Sequence, residues 1–200
     1  MKKLLISAIL VGLLTACSGG GGGAGKATTP DGTKIDLTNS PKGDIGTKTV
    51  DGEFYGQNSN DSFYGIWLND SKTLKEVRYQ GTAATNLPSG SATYLGDAYW
   101  VSGTTGQPSQ GGKTTLNVDF DQKTVDGKIE FSLFNDGRAQ DITLQKTQLN
   151  GTRFNGKATT LLQEGTYEGG LFGNGAKEAA GIATFSGAHS YDTSFGGTRY

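Results

Sequence analysis

The sequence predicts an all-β protein, and three observations support that prediction. Gly accounts for 33 of the 200 residues, and because each Gly inside a helix costs about 1 kcal/mol relative to Ala, this content disfavours a helical bundle. From Glu76 onward, apolar residues recur at every second position, which is the period of a strand with one buried face. Turn residues interrupt this alternation at regular intervals, as they do between strands joined by hairpins.

The composition excludes several classes of function. The chain has 18 Lys and Arg against 19 Asp and Glu, a formal net charge of -1, so it lacks the positive field that attracts nucleic acid. It contains one Cys and one His. A zinc site needs several such ligands and a disulfide needs two cysteines, so neither is expected.

The N-terminus has the pattern of a bacterial lipoprotein signal. Two lysines precede an apolar run over 4–14, which is too short to span a bilayer but suits the centre of a secretory signal. The run ends in Leu14-Thr15-Ala16-Cys17, which resembles a lipobox. We therefore predict a signal peptide over 1–16 and a lipid (palmitate) anchor on Cys17. Because Ser18 follows the lipid site, the resemblance to sorted lipoproteins implies the outer membrane.

The segment after the lipid site has the composition of a linker. Residues 17–46 are mostly Gly, Thr, Lys, Asp, Asn and Pro, with Ile35, Leu37 and Ile45 as isolated apolar side chains. Such a segment buries too little apolar surface to order itself. We predict that 17–46 holds the lipidated cysteine and a flexible Gly-rich tether, which would separate the folded part from its anchor by about 30 Å.

The rest of the chain reads as a small β region over 47–75 followed by consecutive strands over 76–200. Joined by hairpins, these strands would leave free edges unless the sheet closes on itself, which an up-and-down barrel does. The second face of the strands is polar at Thr115, Asn117 and Lys128, unlike the lipid-facing band of a transmembrane barrel. The predicted fold is therefore a soluble eight-stranded antiparallel up-and-down β-barrel.

Hairpin turns are predicted from residue type and parity. Val125, Gly127 and Ile129 keep one parity through Asp126-Gly127, so the turn belongs earlier, at Asp121-Gln122. Asn135-Asp136-Gly137 and Asn150-Gly151 are predicted turns, because these residues accept the positive φ of tight hairpins.

Several segments resemble one known family over residues 76–200. The segment Gly170-Leu171-Phe172-Gly173-Asn174-Gly175-Ala176-Lys177-Glu178-Ala179-Ala180-Gly181 resembles the signature hairpin of the transferrin-binding protein B-like barrels. Further segments agree in order and spacing: Leu116-Asn117-Val118-Asp119-Phe120, Lys123-Thr124-Val125-Asp126-Gly127-Lys128-Ile129, Arg153-Phe154-Asn155-Gly156-Lys157-Ala158-Thr159 and Ser194-Phe195-Gly196-Gly197-Thr198-Arg199.

The resemblance implies a biological role. The family comprises surface lipoproteins of Gram-negative bacteria and includes factor H-binding protein and haem or haemoglobin binders. It implies a small β handle over 47–75 before the barrel and a position on the outer membrane facing the exterior. It also implies a non-enzymatic, monomeric protein that binds a host macromolecule, for iron or haem acquisition or to capture a complement regulator. Because transferrin-binding protein B has two lobes and this chain has one, no contact residues carry over.

Candidate contact residues are aromatic side chains near predicted loops, where such groups make good interface anchors. Core packing is the alternative fate of each. The candidates are Tyr55, Tyr64, Trp67, Tyr99 and Trp100.

His189 carries a second functional hypothesis, since imidazole can be an axial haem ligand. A plain polar loop residue is the alternative reading of His189. If haem binds, the protein would be a module that hands haem to an outer-membrane transporter. A third hypothesis is a structural envelope lipoprotein without a soluble ligand.

Overall fold

The computed structural model describes residues 22–73, 75–101, 106–131, 140–187 and 189–200. The N-terminal strands are β1 (Lys26–Thr28), β2 (Lys34–Asp36), β3 (Gly43–Thr49), β4 (Gly52–Asn58), β5 (Ser62–Asn69) and β6 (Lys75–Gly81). The C-terminal strands are β7 (Ser91–Val101), β8 (Pro108–Asp119), β9 (Thr124–Phe131), β10 (Ile142–Asn150), β11 (Arg153–Thr159), β12 (Glu164–Phe172), β13 (Glu178–Thr184) and β14 (Thr193–Thr198). A short 3-10 helix spans His189–Tyr191. Within these ranges, no helix has the length and apolar character needed to cross a bilayer.

Strands β7 to β14 close into an eight-stranded antiparallel barrel, which confirms the predicted fold. Each strand pairs with the next along the chain, and β14 pairs with β7 to complete the ring. In this closing pair Ser194 lies opposite Tyr99, and Thr198 lies opposite Leu95. Closure pairs the backbone of every barrel strand on both sides, so the barrel has no free edge.

Side chains fill the inside of the barrel. Tyr94, Tyr167 and Phe195 are at most 1% exposed and belong to one apolar cluster with the inward residues of the other strands. The tyrosine hydroxyls have partners inside the core. Tyr94 donates to the carbonyl of Ala176 at 2.5 Å, and Tyr167 donates to that of Gln145 at 2.7 Å. The interior is therefore a packed core rather than a ligand chamber.

The outward face of β8 and β9 is polar. Along β8 and β9, Leu116 and Ile129 point inward and are at most 1% exposed, whereas Asn117, Lys128 and Glu130 are exposed. The alternation predicted from the sequence is therefore present in these strands.

The turns lie where residue type and parity place them. The connection between β8 and β9 contains Asp121-Gln122, and Asp126-Gly127 lies inside β9. Asn150-Gly151 joins β10 to β11, where Gly151 has a φ of 61°, a value that favours glycine. Both predictions are confirmed. The predicted turn at Asn135-Asp136-Gly137 lies outside the described residues.

The N-terminal part forms a four-stranded sheet that we call the handle, with strand order β3-β4-β5-β6. One face of the handle packs on the outside of the barrel, where Tyr64, Ile66 and Tyr79 meet Tyr99 and Phe172 in one buried cluster. The β1–β2 hairpin covers the opposite face and buries side chains from both elements. That second cluster contains Ala24, Ala27, Ile35, Leu37, Ile45, Phe54, Phe63 and Trp67.

The boundaries of the parts differ from the sequence expectations. The handle sheet spans 43–81 rather than 47–75, and the first barrel strand begins at Ser91 rather than near residue 76. Alternation in β6 resembles that of a barrel strand, because a period of two does not reveal which sheet a strand joins. The expected tether is also shorter, since residues 23–42 pack on the handle, with Leu37 fully buried, and 43–46 belong to its first strand.

The connections alternate between two ends of the molecule, because all neighbouring strands are antiparallel. We call one end the loop end; among the described residues it carries 50–51, 70–73, 106–107, 140–141, 160–163, 185–187 and 189–192. We call the other the base; it carries 59–61, 82–90, 120–123, 151–152 and 173–177. Contacts align the handle with the barrel at both ends. At the base, the Asn60 backbone N–H donates to Glu178 at 3.0 Å, and at the loop end a Cβ added to Gly106 would lie 3.5 Å from Lys72 Cδ.

Candidate binding surface

Two of the aromatic candidates lie in the handle–barrel interface. Tyr64 is 3% exposed and Tyr99 is fully buried. The Tyr64 hydroxyl accepts a hydrogen bond from the Asp97 backbone N–H at 3.3 Å, and the Tyr99 hydroxyl donates to the carboxylate of Asp44. Burial raises the pKa of both hydroxyls, and the nearby Asp44 raises that of Tyr99 further. Both remain protonated and join the handle to the barrel.

The remaining aromatic candidates also pack internally. Trp67 is 2% exposed, and its Nε1 donates to Thr49 Oγ1 at 3.0 Å. Trp100 is 4% exposed and meets the Phe131 ring edge-on, with 4.6 Å between the ring centroids. Tyr55 is half-buried, and its ring lies 5.5 Å from that of Tyr99 in the same interface.

This packing corrects the expectation of exposed aromatic anchors. Strand periodicity shows that an aromatic side chain lies on one face of a sheet, but it does not show that a second layer covers that face. The handle and the barrel cover each other at Tyr55, Tyr64 and Tyr99. The β1–β2 hairpin covers Trp67, and Trp100 packs on Phe131 of the barrel. The residues concerned are Tyr55, Tyr64, Trp67, Tyr99 and Trp100.

The other two candidates are only partly located. His189 begins the 3-10 helix in the connection between β13 and β14, at the loop end. Its side chain and Cys17 lie outside what the structure describes. Haem ligation and lipidation therefore stay predictions.

The loop end carries an exposed apolar pair on a well-defined turn. Leu161 is 86% exposed and Leu162 is 69% exposed, at the apex of the connection between β11 and β12. Thr160 holds this turn. Its backbone N–H donates to the Gln163 carbonyl at 2.9 Å, and its hydroxyl accepts the backbone N–H groups of Leu162 and Gln163 at 3.3 and 3.0 Å.

A second exposed apolar side chain lies at the same end, on the handle. Val50 is 81% exposed in the turn between β3 and β4. The Asp31 carboxylate fixes this turn, because it accepts the Thr49 hydroxyl at 2.5 Å and the Asp51 backbone N–H at 2.8 Å. It also accepts the Thr33 backbone N–H at 3.0 Å within its own turn. The β1–β2 hairpin and the handle are therefore tied together at the loop end.

These features give the loop end the chemistry of a protein-binding surface. Exposed apolar side chains on defined turns suit burial against a partner, and loops on a rigid scaffold commonly carry recognition. Around the rim, the described parts of the connections follow the strand order, so 160–163 neighbours 185–187 and 189–192, which neighbour 106–107. Among the described residues, the base also exposes Leu87 and Tyr200, at 41% and 104%.

Sequence reasoning missed the leucine pair. Leu161 and Leu162 follow β11, which ends at Thr159, and neither is among the contact residues predicted from the sequence. The signal in the sequence was two adjacent leucines between two strands, at a position where turn chemistry favours polar residues.

Comparisons with known proteins agree with this architecture. A family model described as the C-lobe and N-lobe beta barrels of Tf-binding protein B matches residues 72–199. A search of the curated proteins gave no significant match. Among solved structures, HpuA from Kingella denitrificans in complex with human haemoglobin is 20% identical with a TM-score of 0.67, covering 88% of this chain and 76% of that one. Its apo structure, the haemoglobin receptor HpuA, has a TM-score of 0.70 and 20% identity, with 87% and 75% covered.

Transferrin binding protein B from serogroup B Neisseria meningitidis is 18% identical with a TM-score of 0.61, covering 90% of this chain but only 40% of that one. At these identities the structural likeness shows a shared fold. The family model covers well over half of the chain, including all eight barrel strands. The chain therefore belongs to the family of transferrin-binding protein B β-barrels.

Proposed function

We propose that this chain is a non-enzymatic lipoprotein, anchored through Cys17 to the outer membrane and facing the exterior, that binds a host iron-carrying protein. The loop end is the recognition surface, and haemoglobin is the first ligand to test. Capture of a complement regulator is the alternative ligand class.

The packed barrel supports binding rather than catalysis. Its inward tyrosines donate hydrogen bonds to backbone carbonyls, so the interior of the barrel serves as a rigid scaffold for the loops. The structural neighbours include a haemoglobin receptor of similar size and a larger transferrin-binding protein. The chain covers 75% of the haemoglobin receptor but only 40% of the transferrin-binding protein. Its size is therefore closer to that of the haemoglobin receptor, which favours haemoglobin as the ligand.

The exposed leucine pair is the observation that carries the choice of surface. Burying a Leu side chain contributes about 1.5 to 3 kcal/mol. Two leucines on a turn that is already ordered would add this free energy with little further loss of loop entropy. At the handle side of the same end, Val50 is a further exposed apolar side chain.

The binding test uses the mature chain with Cys17 replaced by Ser, immobilised against haemoglobin, transferrin and factor H. We expect binding to haemoglobin or transferrin. The double variant Leu161→Ser/Leu162→Ser should weaken it roughly tenfold or more, since about 1.4 kcal/mol corresponds to tenfold in affinity.

Leu87→Ser is the matched control, because Leu87 is an exposed leucine at the base. It should leave the affinity unchanged. An equal loss in the control and the double variant would contradict the loop-end surface. Binding to factor H alone would replace the iron-carrier proposal with complement-regulator capture.

Anchoring and exposure are tested separately in cells. Labelled palmitate should enter the wild-type protein and be absent from Cys17→Ala. External protease should remove the protein from intact cells. Resistance of a correctly lipidated protein to protease would place it on the periplasmic side of the membrane.

A further inference from the structure

The chain joins the folded body at a defined point on the base. The Gly23 backbone N–H donates to Asp61 Oδ1 at 3.4 Å, and its carbonyl accepts the Thr82 hydroxyl at 2.8 Å. The next carbonyl, of Ala24, accepts Gln80 Nε2 at 2.7 Å. Ala24 is 3% exposed, within the cluster that joins the β1–β2 hairpin to the handle. The chain is therefore held to the folded body from Gly23 onward.

The entry point depends on a glycine. Gly23 has a φ of 114°, which L side chains rarely adopt. A Cβ at this position would lie 2.7 Å from Thr38 Cγ2. The close approach and the backbone conformation together fix where the chain leaves the base.

Covalent geometry then limits the distance between the base and a lipid on Cys17. Six Cα–Cα steps separate Cys17 from Gly23 in the sequence, and a fully extended chain advances at most about 3.5 Å per step. The segment from Cys17 to Gly23, which we call the leash, is therefore no longer than about 20 Å.

The barrel is longer than this leash. Strand β8 has 12 residues, and at a rise of about 3.4 Å per residue and a tilt of about 40° it covers about 28 Å along the barrel axis. If the molecule were inverted, with its loop end on the membrane, Gly23 would lie at least that far from the lipid surface. The leash is too short to allow the inverted orientation.

We propose that the base of this protein is held against the lipid surface of the membrane and that the loop end projects into the medium. This proposal rests on the proposed lipidation of Cys17. It assigns a lipid-facing role to the base and explains how a short leash keeps the recognition surface accessible.

The side chains of the base suit an interface with lipid headgroups. Tyr200 is fully exposed and Leu87 is 41% exposed, and tyrosine is enriched where membrane meets water. Lys123 and Lys177 are also exposed there, and such groups are attracted to anionic headgroups. The acidic Asp121 lies beside Lys123 and limits this attraction. The geometry of the leash therefore provides the main constraint.

The test uses the full lipidated chain in vesicles that contain a nitroxide-labelled headgroup lipid. Cys17 is the sole cysteine of the sequence, so an added cysteine can be labelled selectively with bimane. Gln122→Cys places the label at the base, and Leu161→Cys places it at the loop end. We expect the nitroxide to quench most of the fluorescence of the base label and little of that of the loop-end label.

A second pair of variants carries an insertion of about 20 Gly and Ser residues between Ser18 and Gly19, added to each labelled protein so that the leash roughly quadruples in contour length. The longer leash should remove most of the difference between the two labels. Equal quenching with the native leash, or stronger quenching at Leu161, would overturn the proposal. A difference that survives the insertion would also overturn it, because leash length would not be its cause. Failure of lipidation is distinguishable, since the protein would then lack the lipid mass and would not sediment with vesicles.

Discussion

At the scale of single residues, Asp31 is the clearest case of one side chain organising a surface. It lies in the β1–β2 turn and accepts hydrogen bonds from the hydroxyls of Thr29 and Thr49 and from the backbone N–H groups of Thr33 and Asp51. Desolvation acts to raise the pKa of its carboxyl, but these hydrogen bonds outweigh it and hold the pKa well below its usual value of 3.8. The charged form is therefore the one that the fold stabilises.

Replacing Asp31 by Asn should reduce stability at neutral pH. The amide cannot accept all four hydrogen bonds, and because the site is open to solvent we expect a cost of about 1 kcal/mol. The pKa is lower in the folded state, so the advantage of the wild type should be complete above about pH 4 and should shrink as pH falls through the folded pKa. Thermal unfolding from pH 7 to pH 2 measures this; a constant difference between the two proteins would contradict it.

The fate of individual residues was only partly predictable from sequence. Turn glycines such as Gly151 follow from local chemistry, because a positive φ depends on neighbouring residues alone. The burial of Tyr64 and Tyr99 depends on a contact between strands far apart in the sequence. Local patterns do not contain that information. The exposure of Leu161 was not predicted for a related reason, since it depends on where β11 ends.

At the scale of elements, the handle is fastened to the barrel by a carboxylate. Glu178, at the start of β13, is 4% exposed. It accepts the backbone N–H groups of Asn60 and Asp61 at 3.0 Å each and the Ser62 hydroxyl at 2.7 Å. The turn between β4 and β5 is thereby fixed to the base of the barrel. Glu178 belongs to the signature hairpin, so this segment has a structural role in holding the handle.

Glu178→Gln should destabilise the protein by about 1 to 3 kcal/mol, because an amide N–H₂ would face donors that now meet a carboxylate. Ser62→Ala is the control, since it removes one of the three hydrogen bonds and leaves the charge and both backbone contacts in place. Chemical denaturation of both variants measures the costs. A smaller loss for Glu178→Gln than for Ser62→Ala would show that the backbone contacts contribute little.

Strand existence was easier to predict than strand assignment. Alternation located β6, β8 and β9, because a period of two depends on one buried face. Nothing in that period distinguishes a handle strand from a barrel strand, so β6 was assigned to the barrel. The isolated apolar residues Ile35 and Leu37 looked too sparse to order a segment, yet the handle supplies the surface that buries them.

At the scale of the whole molecule, the handle depends on the barrel more than the barrel depends on the handle. The barrel closes on itself and contains its own core. The handle contacts the barrel mainly through β7, β13 and β14, and Arg153 of β11 lies over the Tyr79 ring of β6. Strands β9 and β10 lie on the wall away from the handle. We therefore expect the handle to open as a separate unit before the barrel unfolds.

Tyr64 provides a matched pair of variants for this expectation. Its ring packs where a Cβ on Gly196 would come within 2.4 Å, and it is 3% exposed. Tyr64→Ala should weaken handle docking by about 3 kcal/mol, whereas Tyr64→Phe keeps the ring and loses only a long hydrogen bond. Hydrogen exchange should show amides of β4 and β5 exchanging roughly a hundredfold faster in Tyr64→Ala, because about 1.4 kcal/mol is tenfold.

Protection in β9 and β10 should stay near the wild-type level in both variants. Equal loss of protection in β5 and β10 would instead mean that the handle and the barrel unfold as one cooperative unit. The distinction matters for binding, because Val50 lies on the handle and the leucine pair lies on the barrel. A handle that opens alone would let the two parts of the loop end separate, so a ligand that contacts both would bind more weakly to Tyr64→Ala than to Tyr64→Phe.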